Sequence, residues 1–147
     1  MWLGLEDEFR LLTPGGDVIA TFDRTELTAD VEEASGSSVD ALQIQLAGTA
    51  EAPVLVVVGT DLLMTPDGDL RHIAGVGDDT VELLGSSDGL VWSLRRRADE
   101  SAVVELLGVD GEMVGSADPG AGFVPYVATD QFVVGRGESG LTVVRRD

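Results

Sequence analysis

Three glycines near the end of the chain, Gly135, Gly137 and Gly140 in "VVGRGESGLTVVRRD", have the G-x-G-x-x-G spacing of a loop that receives a dinucleotide pyrophosphate. That chemistry needs a helix directly after the loop, because the free amides and dipole of its N-terminus bind the phosphate. Here the continuation is "LTVVRRD", β-branched and helix-averse. It predicts a returning strand, with the glycines serving turn geometry. A second motif, Gly85-x-Ser87-x-Gly89, matches the nucleophile elbow of a hydrolase. An elbow needs a helix after the serine and a histidine downstream to take its proton. The one histidine, His72, lies upstream, and "LVWSL" after Gly89 reads as a strand. Ser87 is therefore read as a hairpin residue.

Metal chemistry is the next possibility. One histidine and no cysteine do not assemble an ordinary zinc site, and His72 in "LRHIAG" reads as a strand residue. Asp67, Asp69, Asp78 and Asp79 are candidate oxygen ligands for a divalent ion such as Ca²⁺. The stretch "AGVGDDTVE" that holds two of them resembles one copy of the nonapeptide of calcium-binding β-rolls, with Ala74 in place of its first glycine. The resemblance implies a site built between stacked copies, and only one copy is present, so a solvated acidic loop is the simpler reading. No other cofactor is expected. With 27 acidic residues in 147, some carboxylates must lie close together, and position alone cannot single out a catalytic pair. The expectation is a protein that is not an enzyme.

Positive charge is scarce and concentrated. Five of the nine arginines stand in two runs, Arg95, Arg96 and Arg97, then Arg145 and Arg146, both at strand ends. Brought together, they would form one basic patch for an acidic partner or a second copy of the chain. Taken singly, they would pair with neighbouring carboxylates.

The setting follows from composition. All nine basic residues are Arg and none is Lys, and the formal charge is −18. An acid-rich, Lys-free chain resembles haloarchaeal proteins, and points to a GC-rich genome and a salt-rich cytoplasm where repulsion is screened within a few ångström. The charge argues against nucleic-acid binding, which needs a basic surface to release counterions. "MWLGLEDEFR" lacks the basic and apolar regions of a secretory signal. The longest apolar run, "APVLVVVG", is too short to cross a bilayer as a helix. The expected location is cytoplasmic or within a virion, away from membranes.

These residues must be positioned by strands. Short apolar, β-branched bursts separated by Gly, Asp, Pro and Ser predict an all-β, antiparallel, hairpin-rich meander. Five hairpins are explicit: "FRLLTPGGDVIATF", "DLLMTPDGDLRHIAG", "VELLGSSDGLVWSLR", "VELLGVDGEMVGSA" and "FVVGRGESGLTVVRR". The chain reads as one domain, 1–147, with an N-terminal hairpin in 1–24, a polar connector in 25–40 and repeated hairpins in 41–147. Thr25 or Thr28 would cap one short helix through Glu33. The connector would let the N-terminal hairpin pack beside the C-terminal one. "VLVVV" is apolar on both faces, as in a covered central strand. "LVWSL" alternates, and Pro125 marks an edge or bulged strand.

"VELLG" occurs at 81–85 and again about 23 residues on, and Thr60-Asp61 is echoed by Thr129-Asp130. "VELLGSSDGLVWSLR" resembles the strand, Asp-Gly turn and Trp-bearing strand of WD40-type β-propeller blades. At about 40 residues a blade the chain holds roughly three and a half, below the four of a closed ring. The resemblance implies a partial propeller completed by a partner or another copy; a barrel or sandwich is the alternative. The expected function is a protein-interaction or assembly module that joins a protein partner or itself. Alternatives are a virion or shell component, and a small-ligand-binding or ion-binding domain or enzyme with a carboxylate site.

Overall fold

A computed structural model describes residues 1–49, 51–73 and 79–146. Among the described residues fourteen strands form four antiparallel sheets, each built from consecutive strands, and one helix joins the first sheet to the second. The first sheet holds β1 (Trp2–Gly4), β2 (Glu8–Leu12) and β3 (Val18–Asp23), followed by α1 (Arg24–Ser35). The second holds β4 (Ile44–Gly48), β5 (Pro53–Val57), β6 (Leu62–Met64) and β7 (Leu70–His72). The third holds β8 (Thr80–Ser87), β9 (Leu90–Arg96), β10 (Ala102–Leu107) and β11 (Met113–Ala117). The fourth holds β12 (Val124–Ala128), β13 (Phe132–Gly137) and β14 (Gly140–Arg145). Among the described residues no sheet closes on itself into a barrel.

All five expected hairpins are present, as β2–β3, β6–β7, β8–β9, β10–β11 and β13–β14. Their corners follow from local chemistry. In "SSDG", Ser87 pairs with Leu90, and Asp88 and Gly89 both take positive φ, which is the two-residue turn that matches strand twist. "TPGGD" and "TPDGD" repeat one corner: the amides of Asp17 and Asp69 each donate to the threonine hydroxyl four residues back, Thr13 and Thr65. β1 adds a strand to the expected N-terminal hairpin, through a short turn in which the Leu5 amide donates to Glu8 O.

The helix is capped by Asp23, whose carboxylate accepts from the Glu26 amide at 2.9 Å. Neither Thr25 nor Thr28 is the cap. Asp23 ends β3 with extended backbone and so already stands at the boundary, while Thr28 turns its hydroxyl back to Arg24 O. Gly36 closes the helix with φ +72, its amide donating a hydrogen bond to Glu32 O. Leu27 and Val31, one turn apart, are its buried stripe.

The sheets stack in chain order through three cores. Phe9 and Leu11 of the first sheet and Leu27 and Val31 of the helix meet Leu55, Val57, Leu62 and Met64 of the second. The N-terminal hairpin thus packs on β5 and β6, in place of the expected seat beside the C-terminal hairpin. Val56 and Leu63, on the other face of those strands, meet Leu83, Val91 and Leu107 of the third sheet. "VLVVV" is a central strand because it feeds two cores. Trp92, Leu94, Val104 and Leu106 then meet Phe123, Val133 and Val144 of the fourth sheet. The two "VELLG" copies begin β8 and end β10 of one sheet, so they do not relate one sheet to the next. Thr60 and Thr129 do match: each hydroxyl accepts from the amide two residues on, before β6 and β13.

The first glycine of the G-x-G-x-x-G motif has a packing role. A Cβ on Gly135 would run into Val124 O and lie 2.6 Å from the Phe123 ring. Gly135→Ala is expected to cost about 1–3 kcal/mol in urea unfolding, the penalty of an overfilled core; an unchanged midpoint would contradict this.

Candidate functional site

Among the described residues, the motifs with catalytic spacing sit at hairpin corners. Ser87 is fully buried at the β8–β9 corner, its hydroxyl donating to Asp130 O. Gly137 and Gly140 face each other across the β13–β14 turn, with a strand on either side. His72 is exposed on β7, with Nδ1 2.7 Å from Asp61 Oδ2. Asp67 and Asp69 stand exposed at the β6–β7 corner, and Asp79 lies 3.4 Å from Arg95. Asp78 falls outside the described residues, as does most of the nonapeptide-like stretch. Among the described residues no group of three or more His, Cys, Asp or Glu is set to hold a metal.

The five arginines are not one patch. Arg95 points between the second and third sheets, its side chain 16% exposed, with Nε 2.6 Å from Glu105 Oε1. Arg96 reaches across to the fourth sheet and donates to Phe123 O at 3.0 Å. Arg97 is exposed in the β9–β10 turn. Arg146 is tied to the far end of the third sheet, donating to Ser87 O and Oγ at 3.1 and 3.0 Å. The length of β9, about 20 Å for seven residues, separates the two groups. Two of the five, Arg96 and Arg146, are straps between the third and fourth sheets, while Arg95 is paired within the third and Arg97 and Arg145 are exposed. Replacing Arg95, Arg96 and Arg97 together would therefore report on stability before it reported on binding.

The Arg96 strap has a titratable neighbour. Burial pushes the Glu82 carboxyl above its ordinary value of 4.5, and the charge of Arg96 pulls it partway back. A carboxyl that holds its proton more tightly when folded costs stability once ionised. That cost is absent below the ordinary value, grows as pH rises through the folded pKa and is constant above it. Glu82→Gln is expected to raise Tm at pH 7, with the gain vanishing by about pH 4. A lower Tm at pH 7 would contradict this sign.

What remains unpaired is a surface. Register places Val133 and Gly135 of β13, with Val144 and Thr142 of β14, on the face that meets the third sheet. The other face carries Val124, Arg136 and Leu141 in one cross-strand row, Val127, Val134 and Val143 in the next, and Phe132 beside Arg145 in the last. Leu141 is 74% exposed and Val143 49%. Among the described residues twelve large apolar side chains are exposed, and six of them are in this sheet, too dense a cluster for scattered surface residues. Pro125 suits β12 to an edge: the strand is one of the sheet's two edges and its register shifts between Pro125 and Val127. Sequence reasoning missed this face. "FVVGRG" and "LTVVR" are apolar on both faces, which reads as a strand covered twice.

A second feature draws on all four sheets. Trp2 of β1, Gln45 of β4, Leu84 of β8 and Tyr126 of β12, one residue from the first strand of each sheet, line one open cleft of about 550 Å³. No described helix is long and apolar enough to cross a membrane.

No family model and no curated sequence matches the chain. A protein of unknown function from Bacteroides caccae is similar in structure, at 11% identity and a TM-score of 0.44, over 99% of this chain and 57% of that one. The chain spans little more than half of that protein's length.

Proposed function

We propose that the chain is a non-catalytic assembly module that engages a protein partner through the outer face of its fourth sheet. One observation carries the reading: a three-stranded sheet buries one face on the third sheet and leaves the other apolar and bare. Burying the five exposed apolar side chains of that face, Val124, Val127, Phe132, Leu141 and Val143, is worth up to about 1.5–3 kcal/mol apiece before the costs of association. The sheet order supports the partial-propeller resemblance as well. Fourteen strands amount to three and a half four-stranded units, the incomplete ones stand first and last, and the first strands share one cleft. The acid-rich body suits a salt-rich cytoplasm or a virion shell, where a charge of −18 is screened.

The test is the mass of the native particle, isolated at the salt concentration of its source. Leu141→Glu with Val143→Glu, both exposed in the single chain, is expected to reduce that particle to one chain with an unchanged circular dichroism spectrum. An unaltered particle would contradict the reading.

A further inference from the structure

Resting on that interaction reading, we propose that the partner on the fourth sheet is the outer face of the first sheet in a second copy of this chain. Two copies join about a two-fold axis, and each supplies one face of each kind. The first sheet is the other end of the stack, and its outer face is also bare. Phe9 and Leu11 point into the core, so their neighbours Glu8, Arg10 and Leu12 point outward. Leu3, Arg10 and Thr21 form one outward row, Glu8 and Asp23 another, and Leu12 faces Val18. Met1, Leu3, Val18 and Ile19 are exposed there. Ten of the twelve exposed large apolar side chains thus lie on the first and last sheets, which are the two that have a neighbour on one side only.

Charge decides which face meets which. Residues 1–36 carry nine acids and two arginines, whereas residues 123–147 carry three of each. On the outer faces, Arg136 and Arg145 stand among the apolar rows of the fourth sheet, and the first carries Glu8, paired with Arg10, and Asp23, the helix cap, a net negative charge against a positive one. Fourth sheet on fourth sheet would bring Arg136 and Arg145 of both copies together, and first on first would bring two acid-rich segments together. First on fourth sets opposite charges around matched apolar rows, which favours register and suppresses the like pairings. A two-fold axis makes the contact twice, so no bare end remains to propagate a chain.

The test uses the purified chain in about 0.5 M salt, where repulsion between two acidic bodies is confined to a few ångström. Light scattering is expected to give the mass of two chains. Arg136→Glu with Arg145→Glu should run as a single chain, as should Glu8→Arg with Thr21→Arg, which leaves the Asp23 cap intact. Their equimolar mixture should recover a pair containing one of each, at least tenfold tighter than either variant with itself. Three results would overturn the proposal: a wild-type mass that climbs beyond two chains with concentration, self-pairing of the Glu8→Arg, Thr21→Arg variant, or a mixture that stays single. A purified wild-type single chain beside a heavier native particle would also overturn it. In that last case the interaction reading stands and the occupant is a different protein.

Discussion

Trp92→Ala is expected to lose about 3–5 kcal/mol of unfolding free energy, the range for emptying an aromatic site in a packed core. Trp92 is 3% exposed at the centre of the core between the third and fourth sheets. Its indole also donates to Thr129 O at 2.8 Å, in the turn that leads into β13. Small domains hold about 5–15 kcal/mol in all, so the variant should stand near its limit. The loss should be local first. Three other ties cross the same gap, from Ser87 to Asp130, Arg96 to Phe123 and Arg146 to Ser87, and none replaces the apolar contact. Hydrogen exchange should show β12 to β14 losing protection while β5 and β6 keep theirs. Trp92→Phe keeps most of the ring and forfeits the hydrogen bond, and should cost about 1 kcal/mol. A loss under about 1 kcal/mol for Trp92→Ala would contradict a shared core of this kind.

Arg95→Met should cost nearly as much for a different reason. Glu105 has a side chain 9% exposed, with Arg95 as its hydrogen-bonded cation, so the variant leaves a carboxylate between two sheets without its charge partner. Breaking a buried pair from one side costs about 3–5 kcal/mol, with the lower end expected because Asp79, the second partner of Arg95, is 26% exposed. Replacing both partners, Arg95→Met with Glu105→Leu, should recover most of the loss, since apolar packing offsets the attraction that was removed. Urea unfolding of the two single variants and the double variant measures the coupling. A double-variant cost equal to the sum of the two single-variant costs would show that the pair itself contributes nothing.

The strands were legible in the sequence because their punctuation is local. Each hairpin carries its own turn residues, and "SSDG" or "TPDG" needs no distant partner to set the chain reversing. The helix was legible for the same reason, although its cap was not: Asp23 ends a strand and starts a helix at once, and only the pairing of Glu8 with Asp23 shows where the strand stops. The stacking order was out of reach. Nothing in "VLVVV" says that Leu55 and Val57 feed one core and Val56 another. The surroundings of the arginines were out of reach on the same ground. Arg95 to Arg97 and Arg145 to Arg146 are alike as strings, but whether a strand-end arginine meets solvent or a carboxylate depends on which sheet lies above it. The bare face of the fourth sheet was hidden by its own composition, because a strand apolar on both sides does not announce that one side lacks a cover.

The central question is whether the outer face of the fourth sheet is covered when the protein works. Hydroxyl-radical footprinting of the wild-type chain, followed at Phe132, Leu141 and Val143 from concentrated to dilute solution, reads that face directly. These side chains are predicted to be protected at high concentration and to become reactive together on dilution, while buried Val133 stays silent throughout. Equal, full reactivity at every concentration, and in the native particle, would contradict the account.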